Sequence, residues 1–246
     1  MESFTARSNE FDLAACLPRE DGGDDWSARL FARIESAAFP CVGSKAALAR
    51  GAIRTAQFGS LACPRDVPAV HAALEDFAAF VDVQPDDSST VHSFAAIFEG
   101  PSGTDEVRFE SLLWSFLQRL HETDRGRGHH WARDAHSDPD DPRFSLSVAT
   151  HPFFVIGLHA GASRLARRFD VPVLVFNSHR QFDRLRADGR YAKMQAATRG
   201  RDLDLQGSLN PNLADFGAAP ETRQYSGRAV EPGWRCPLNV RTGAMH

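Results

Sequence analysis

"FSLSVATHPFFVIGLH", residues 144–159, decides the fold. Phe144, Leu146 and Val148 alternate with Ser145 and Ser147, the period of two that gives a strand one buried face. His151-Pro152 breaks the pattern, and an almost wholly apolar run follows at once. So short a connection makes two strands antiparallel neighbours. A further run, "VPVLVFN" (171–177), has no polar face and reads as a central strand. "TVHSFAAIFEG" (90–100), stopped by Gly100-Pro101, and residues 52–60 supply two more.

Helical patterns flank these strands. "SARLFARIESAAF" (27–39) is ended by Pro40, and a short helix starts near Lys45. Val70, Leu74, Phe77 and Val81 share one helical face, and Phe109, Leu112, Leu113, Phe116 and Leu120 form the apolar stripe of a helix over 105–122. A short arginine-bearing helix follows His159, and residues 178–199 are helical with a break at Gly189. From Gln206 the chain is turn-rich and aperiodic, and its aromatics and Cys236 favour packing over a site. There is no G-x-G-x-x-G and no regular strand–helix alternation, which excludes a doubly wound fold. The expectation is a single α+β domain over residues 27–246, with a mixed, mostly antiparallel central sheet flanked by helices. A long irregular C-terminal segment packs over the site, and residues 1–26 form an N-terminal extension.

The chain has 246 residues, 42% hydrophobic and 24% charged, with a formal charge of −4. That balance gives no global attraction to nucleic acid or anionic lipid. No apolar run reaches the roughly 20 residues of a membrane helix, and no secretory signal pattern is visible. Cys16, Cys41, Cys63 and Cys236 are scattered without a C-x-x-C, which argues for reduced thiols in a cytoplasmic protein and against a structural zinc site.

Four segments carry candidate chemistry, and the irregular "QGSLNPN" (206–212) and "RQYSGR" (223–228) add polar donors suited to covering a pocket and orienting a polar substrate. In "FFVIGLHAGASRLARRF" (153–169), His159 ends a strand, and Arg164, Arg167 and Arg168 lie at i, i+3 and i+4. A neutral imidazole binds iron or zinc, and arginines on one helix face bind anions. The plain alternative is a solvated basic helix beside a satisfied histidine. In "FNSHRQF" (176–182), Asn177 and His179 follow another strand, so two strand mouths would bring His159 and His179 to one edge. The alternative is an N-cap at Ser178. Cys41 in "FPCVGSKAA" sits in a turn opening a helix, as a thiolate ligand or nucleophile, or as an inert buried thiol. "HHWARDAHSDPDD" (129–141) offers His129, His130, His136 and aspartates to a divalent metal but fits no ligand spacing, and such loops are usually solvated.

As a set, "FPCVGSKAAL", "DPDDPRFSLSV", "FFVIGLHAGASRLARRF", "VPVLVFNSHRQFDRLR", "RDLDLQGSLNPNLADFG" and "RQYSGRAV…WRCPL" resemble the YqcI/YcgG family, to which a heme-dependent N-hydroxylase of guanitoxin biosynthesis is similar. The likeness runs from about Phe39 to Leu238. It implies heme b, O2 as co-substrate and oxidation of a guanidino or amino nitrogen on an arginine-like or amine substrate. It implies His159 as axial iron ligand, with His179 and Cys41 as rivals, and Arg164, Arg167 and Arg168, with Ser163, around the heme carboxylates. His179 and Asn177 complete the catalytic candidates. A ferredoxin or other reductase is the expected electron donor, and a homodimer is among the expectations. Glu221, Asp215 and Glu99 are candidate carboxylates for a cationic substrate. The alternatives are a non-enzymatic heme sensor or carrier, and a heme-free anion-binding protein.

Overall fold

The computed structural model describes residues 24–85, 90–215 and 217–242. Its α-helices are α1 (Trp26–Glu35), α2 (Val42–Ala49), α3 (Val67–Asp82), α4 (Glu106–Gly126), α5 (His179–Ala187), α6 (Arg190–Gln206) and α7 (Thr222–Tyr225). Its strands are β1 (Ile53–Ser60), β2 (Ser93–Gly100), β3 (Leu146–Val148), β4 (His151–Leu158) and β5 (Val173–Ser178), forming one sheet in the order β1-β2-β5-β4-β3. β1 and β2 run parallel, joined through α3, and the other pairs are antiparallel. β5 is central, as its uniform apolarity requires.

Local chemistry sets the element ends. Asp25 and Asp105 cap α1 and α4 by accepting from Ala28 N at 3.0 Å and Arg108 N at 2.7 Å. α1 stops at Glu35, short of Pro40, where the Lys45 ammonium donates to the carbonyls of Ile34, Glu35 and Ser36. Gly189, at φ +75°, separates α5 from α6. The β3–β4 turn is Ala149-Thr150, both at positive φ, with Val148 paired to His151. His151-Pro152 therefore begins β4 rather than forming the turn. Nor does β3 have a solvent face: Ser145 and Ser147 are buried, and Ser147 Oγ accepts from Ala132 N at 2.9 Å.

Strand alternation sorts the sheet into two faces. Phe94, Ala96, Phe98, Phe153, Val155, Leu174 and Phe176 face α3 and α4, meeting Val70, Leu74, Phe77, Phe109, Leu113 and Phe116 in the main core. Ala95, Ile97, Leu158 and Val173 face the other way, toward Leu30 and Ile34 of α1. The tail packs as expected: Tyr225 is fully buried, and Trp234 and Cys236 lie against the main core. Cys63 is disulfide-bonded whereas Cys41 and Cys236 are free, which corrects the expectation of reduced thiols throughout. Sequence spacing does not report which Cβ atoms come together in space. No helix among the described residues is long and apolar enough to cross a membrane.

Candidate functional site

The second face of the sheet floors a cavity of about 310 Å³. Its rungs follow the strand register: Ser93, Asn177 and Phe154 form one row, and Ala95, Val175 and Ile156 the next. Leu30 and Ile34 of α1 close one side, and Tyr191, Met194 and Thr198 of α6 roof it. Asn177 is fixed at this floor, accepting from Ser93 Oγ at 2.7 Å and donating to Phe154 O at 3.4 Å.

Cys41 enters this cavity from the N-cap of α2. Its sulfur accepts from Ser44 N at 3.4 Å and Ser44 Oγ at 3.1 Å. Gly43 lets α6 approach: a Cβ there would stand 2.9 Å from Met194 Sδ. Val42 N donates to Thr198 Oγ1 at 3.3 Å, so the start of α2 is tied to the α6 roof.

Two of the three expected arginines line the cavity, but not from a helix. Only Leu165–Arg167 form a single 3-10 turn, with Arg164 and Arg168 extended on either side. Glycine and proline are absent there, yet the segment is held open because its backbone and side chains find distant partners. Arg164 donates to Asp202 Oδ2 at 2.5 Å and to Ser208 O at 2.7 Å. Arg167 donates to the carbonyls of Gly157, Gln224 and Tyr225 at 3.0, 3.1 and 3.4 Å. Burial pulls the Arg167 guanidinium down to about 10, opposed by nearby Asp202 and Cys41. Arg168 instead donates to Ala162 O and lines a separate surface cleft with Arg29 and Arg33. Ser163 is exposed on the α4 side, donating to Glu106.

An adjoining pocket of about 150 Å³ shares Cys41, Phe154, Asn177 and Met194 with the cavity and adds His179, Glu221 and Asp215. His179 Nε2 lies 2.6 Å from Glu221 Oε2, and Tyr225 Oη donates to Glu221 Oε1. Burial raises the Glu221 carboxyl, against the lowering effect of His179 and Tyr225, and burial raises the Tyr225 phenol too. Asp215 pairs with Arg199 at 2.9 Å. Glu99 lines neither space. Ser178 occupies the N-cap position of α5 but makes no side-chain cap, because its hydroxyl meets His151 Nε2 at 2.8 Å.

His159 is elsewhere. Following Leu158, it turns to the main-core face, stacking on Phe109 with centroids 4.2 Å apart. Its Nδ1 lies 3.3 Å from Thr104 O, its Nε2 is buried without a hydrogen-bond partner, and burial lowers its pKa. Nor do His159 and His179 meet at one edge. β4 and β5 are antiparallel, with Leu158 opposite Val173 and Phe153 opposite Ser178, so their C-terminal ends lie at opposite ends of the ladder.

Pattern reading did not single out Asp202, Ser93, Phe154 or Met194 as site residues. The Q-G-S-x-N-P string, a set of donors for a polar substrate by its composition, is instead scaffold: Gln206 Oε1 accepts from Leu165 N at 2.8 Å, Ser208 holds Arg164, and Asn212 donates to the carbonyls of Arg223 and Arg228. A mixed sheet thus carries an apolar cavity closed by a polar-stapled tail, with a free thiol and two arginines in its wall, the kind of concave apolar space in which small-molecule sites are generally found. The chain belongs to the YqcI/YcgG family, whose model matches residues 30–239. No curated protein and no solved structure matches it.

Proposed function

We propose that this protein is a heme-dependent oxygenase that hydroxylates a guanidino or amino nitrogen of a small amino-acid-like substrate, with Cys41 as the axial ligand. The observation that carries it is the free Cys41 sulfur in the wall of an apolar cavity that also holds Arg164 and Arg167. The donor set suits heme: a soft sulfur for iron, aliphatic and aromatic walls for the macrocycle, and guanidinium groups for its carboxylates. His159, outside that lining, is set aside as ligand in favour of Cys41. When bound there, heme supplies reductive activation of O2, using electrons from a ferredoxin or reductase, and oxygen transfer to an N–H.

The chain's own contribution is binding and proton control. Asn177, held by Ser93, offers a fixed amide beside Phe154 at the junction of cavity and pocket. Glu221 is the carboxylate for a cationic substrate nitrogen, and His179 and Tyr225 orient it. The apolar floor excludes water from the nitrogen being oxidised.

Absorption spectra of the full chain reconstituted with hemin test it. Wild type is expected to bind one equivalent and, reduced under carbon monoxide, to give the red-shifted Soret band of thiolate ligation. Cys41→Ser should lose that band, while His159→Ala and His179→Ala keep it. A protein that takes up no hemin refutes the heme reading, and a thiolate band that survives in Cys41→Ser refutes the ligand. Heme-loaded, reduced protein that with O2 consumes no guanidine or amine from a broad panel would leave a heme sensor or carrier.

A further inference from the structure

A second cluster lies among the main-core helices, away from the cavity lining. His71 on α3, Asp124 on α4 and His129 just beyond α4 each bring one ligand atom within 4.8 Å of the other two. His71 is fully buried, and its Nε2 lies 2.7 Å from Asp124 Oδ1, which also accepts from Ala149 N at 2.8 Å. Its Nδ1 is buried without a hydrogen-bond partner, 4.0 Å from Glu75 Oε2. His129 Nε2 stands 3.2 Å from Glu75 Oε1, and Arg127 donates to Glu75 Oε2 at 3.1 Å. Asp124 and His129 also line a pocket of about 180 Å³ that gives access from the side of His130 and Arg241.

We propose that His71, Asp124 and His129 bind a divalent transition-metal ion, with the half-exposed Glu75 turning in as fourth ligand. Three arguments converge. Two imidazoles and two carboxylates are a borderline nitrogen–oxygen set that suits zinc and its first-row neighbours over calcium or magnesium. The His71 imidazole and the Asp124 carboxylate are buried side by side, and burying these polar groups carries a desolvation cost that a cation held between them would offset. The spacing is near what is needed: metal–ligand bonds of about 2.0–2.2 Å set tetrahedral neighbours roughly 3.3–3.6 Å apart, so closure needs side-chain movement of about 1 Å. Sequence spacing hides this site, because His71 reads as one more position of an apolar helix and its partners come from 53 and 58 residues further on.

Cobalt(II) titration of the tag-free full chain, stripped with chelator, tests the assignment through ligand-field absorption that needs no enzymatic activity. One equivalent is expected to give intense tetrahedral bands, displaced stoichiometrically by zinc. His129→Gln, in a partly exposed loop, should weaken cobalt binding at least about 10-fold, and Glu75→Gln by less. His71→Gln should abolish the bands, with circular dichroism checking that the chain still folds. Cys41→Ser should leave them unchanged. Absence of stoichiometric binding, indifference to His129→Gln, or loss of the bands in Cys41→Ser would each overturn the proposal, the last by locating the ion in the cavity instead.

Discussion

Glu221 Oε2 lies 2.6 Å from His179 Nε2, while Glu221 Oε1 accepts the Tyr225 hydroxyl, and all three side chains are buried. The carboxylate therefore satisfies two donors that have no water to turn to. Glu221→Leu is expected to cost about 3–5 kcal/mol, because it leaves both partners desolvated and unpaired. Glu221→Gln keeps an acceptor and should cost about 1–2 kcal/mol. Urea denaturation of the two variants orders them, and equal losses would show that the polar contacts are not what the site depends on.

At Cys41 the expected outcome is the reverse, a chemical change with little structural effect. The residue caps α2 through its sulfur, and serine is a preferred residue at that position. Cys41→Ser should stay within about 0.5 kcal/mol of wild type by the same assay. Cys41→Ala, which has no capping atom, should lose about 1 kcal/mol.

Gly161 is fixed by a close backbone approach. A Cβ built there would stand 2.4 Å from Thr104 O, a carbonyl that cannot swing aside as a side chain can. Gly161→Ala should destabilise by about 2–3 kcal/mol. It should also shift the environment of His159, whose Nδ1 faces the same carbonyl at 3.3 Å. The His159 ring resonances in NMR spectra report that shift directly.

His151 gives the fold a defined acid sensitivity. Burial, with Arg180 nearby, outweighs Asp82 and holds the imidazole down at about 4 against an ordinary 6.5. The unfolded chain thus takes up a proton between these values that the folded chain refuses. Stability from this residue is complete above about pH 6.5 and declines as pH falls toward 4, by up to about 3 kcal/mol. Unfolding free energies measured from pH 7 to pH 4.5 should fall less steeply in His151→Gln. An unchanged slope would assign the acid response to other groups.

Periodicity carried the fold a long way, because the features it reads are local. The stripe from Val70 to Val81, the stripe from Phe109 to Leu120 and the apolar run of β5 each bury as their spacing implies. The same method misplaced the β3–β4 turn, since Ala149 and Thr150 are not residues that advertise positive φ. It also could not see direction. His159 and His179 both follow apolar strands, but only the antiparallel register tells that those strand ends point apart. The arginine segment has helical spacing and no helix, because Asp202, Ser208 and three backbone carbonyls compete for its side chains. Contacts across 38 to 58 residues lie outside any window a pattern can scan.

The cavity wall also has an order in time. Asn210, Leu213, Ala214 and Gln224 line it, and the carbonyls of Gln224 and Tyr225 accept from Arg167. A ribosome delivers all five strands before any of these residues emerges. Sheet, α1 and the α6 roof can therefore assemble while only the tail side of the cavity stands open, and whatever the cavity holds can arrive before the tail folds down, without having to pry it up afterwards.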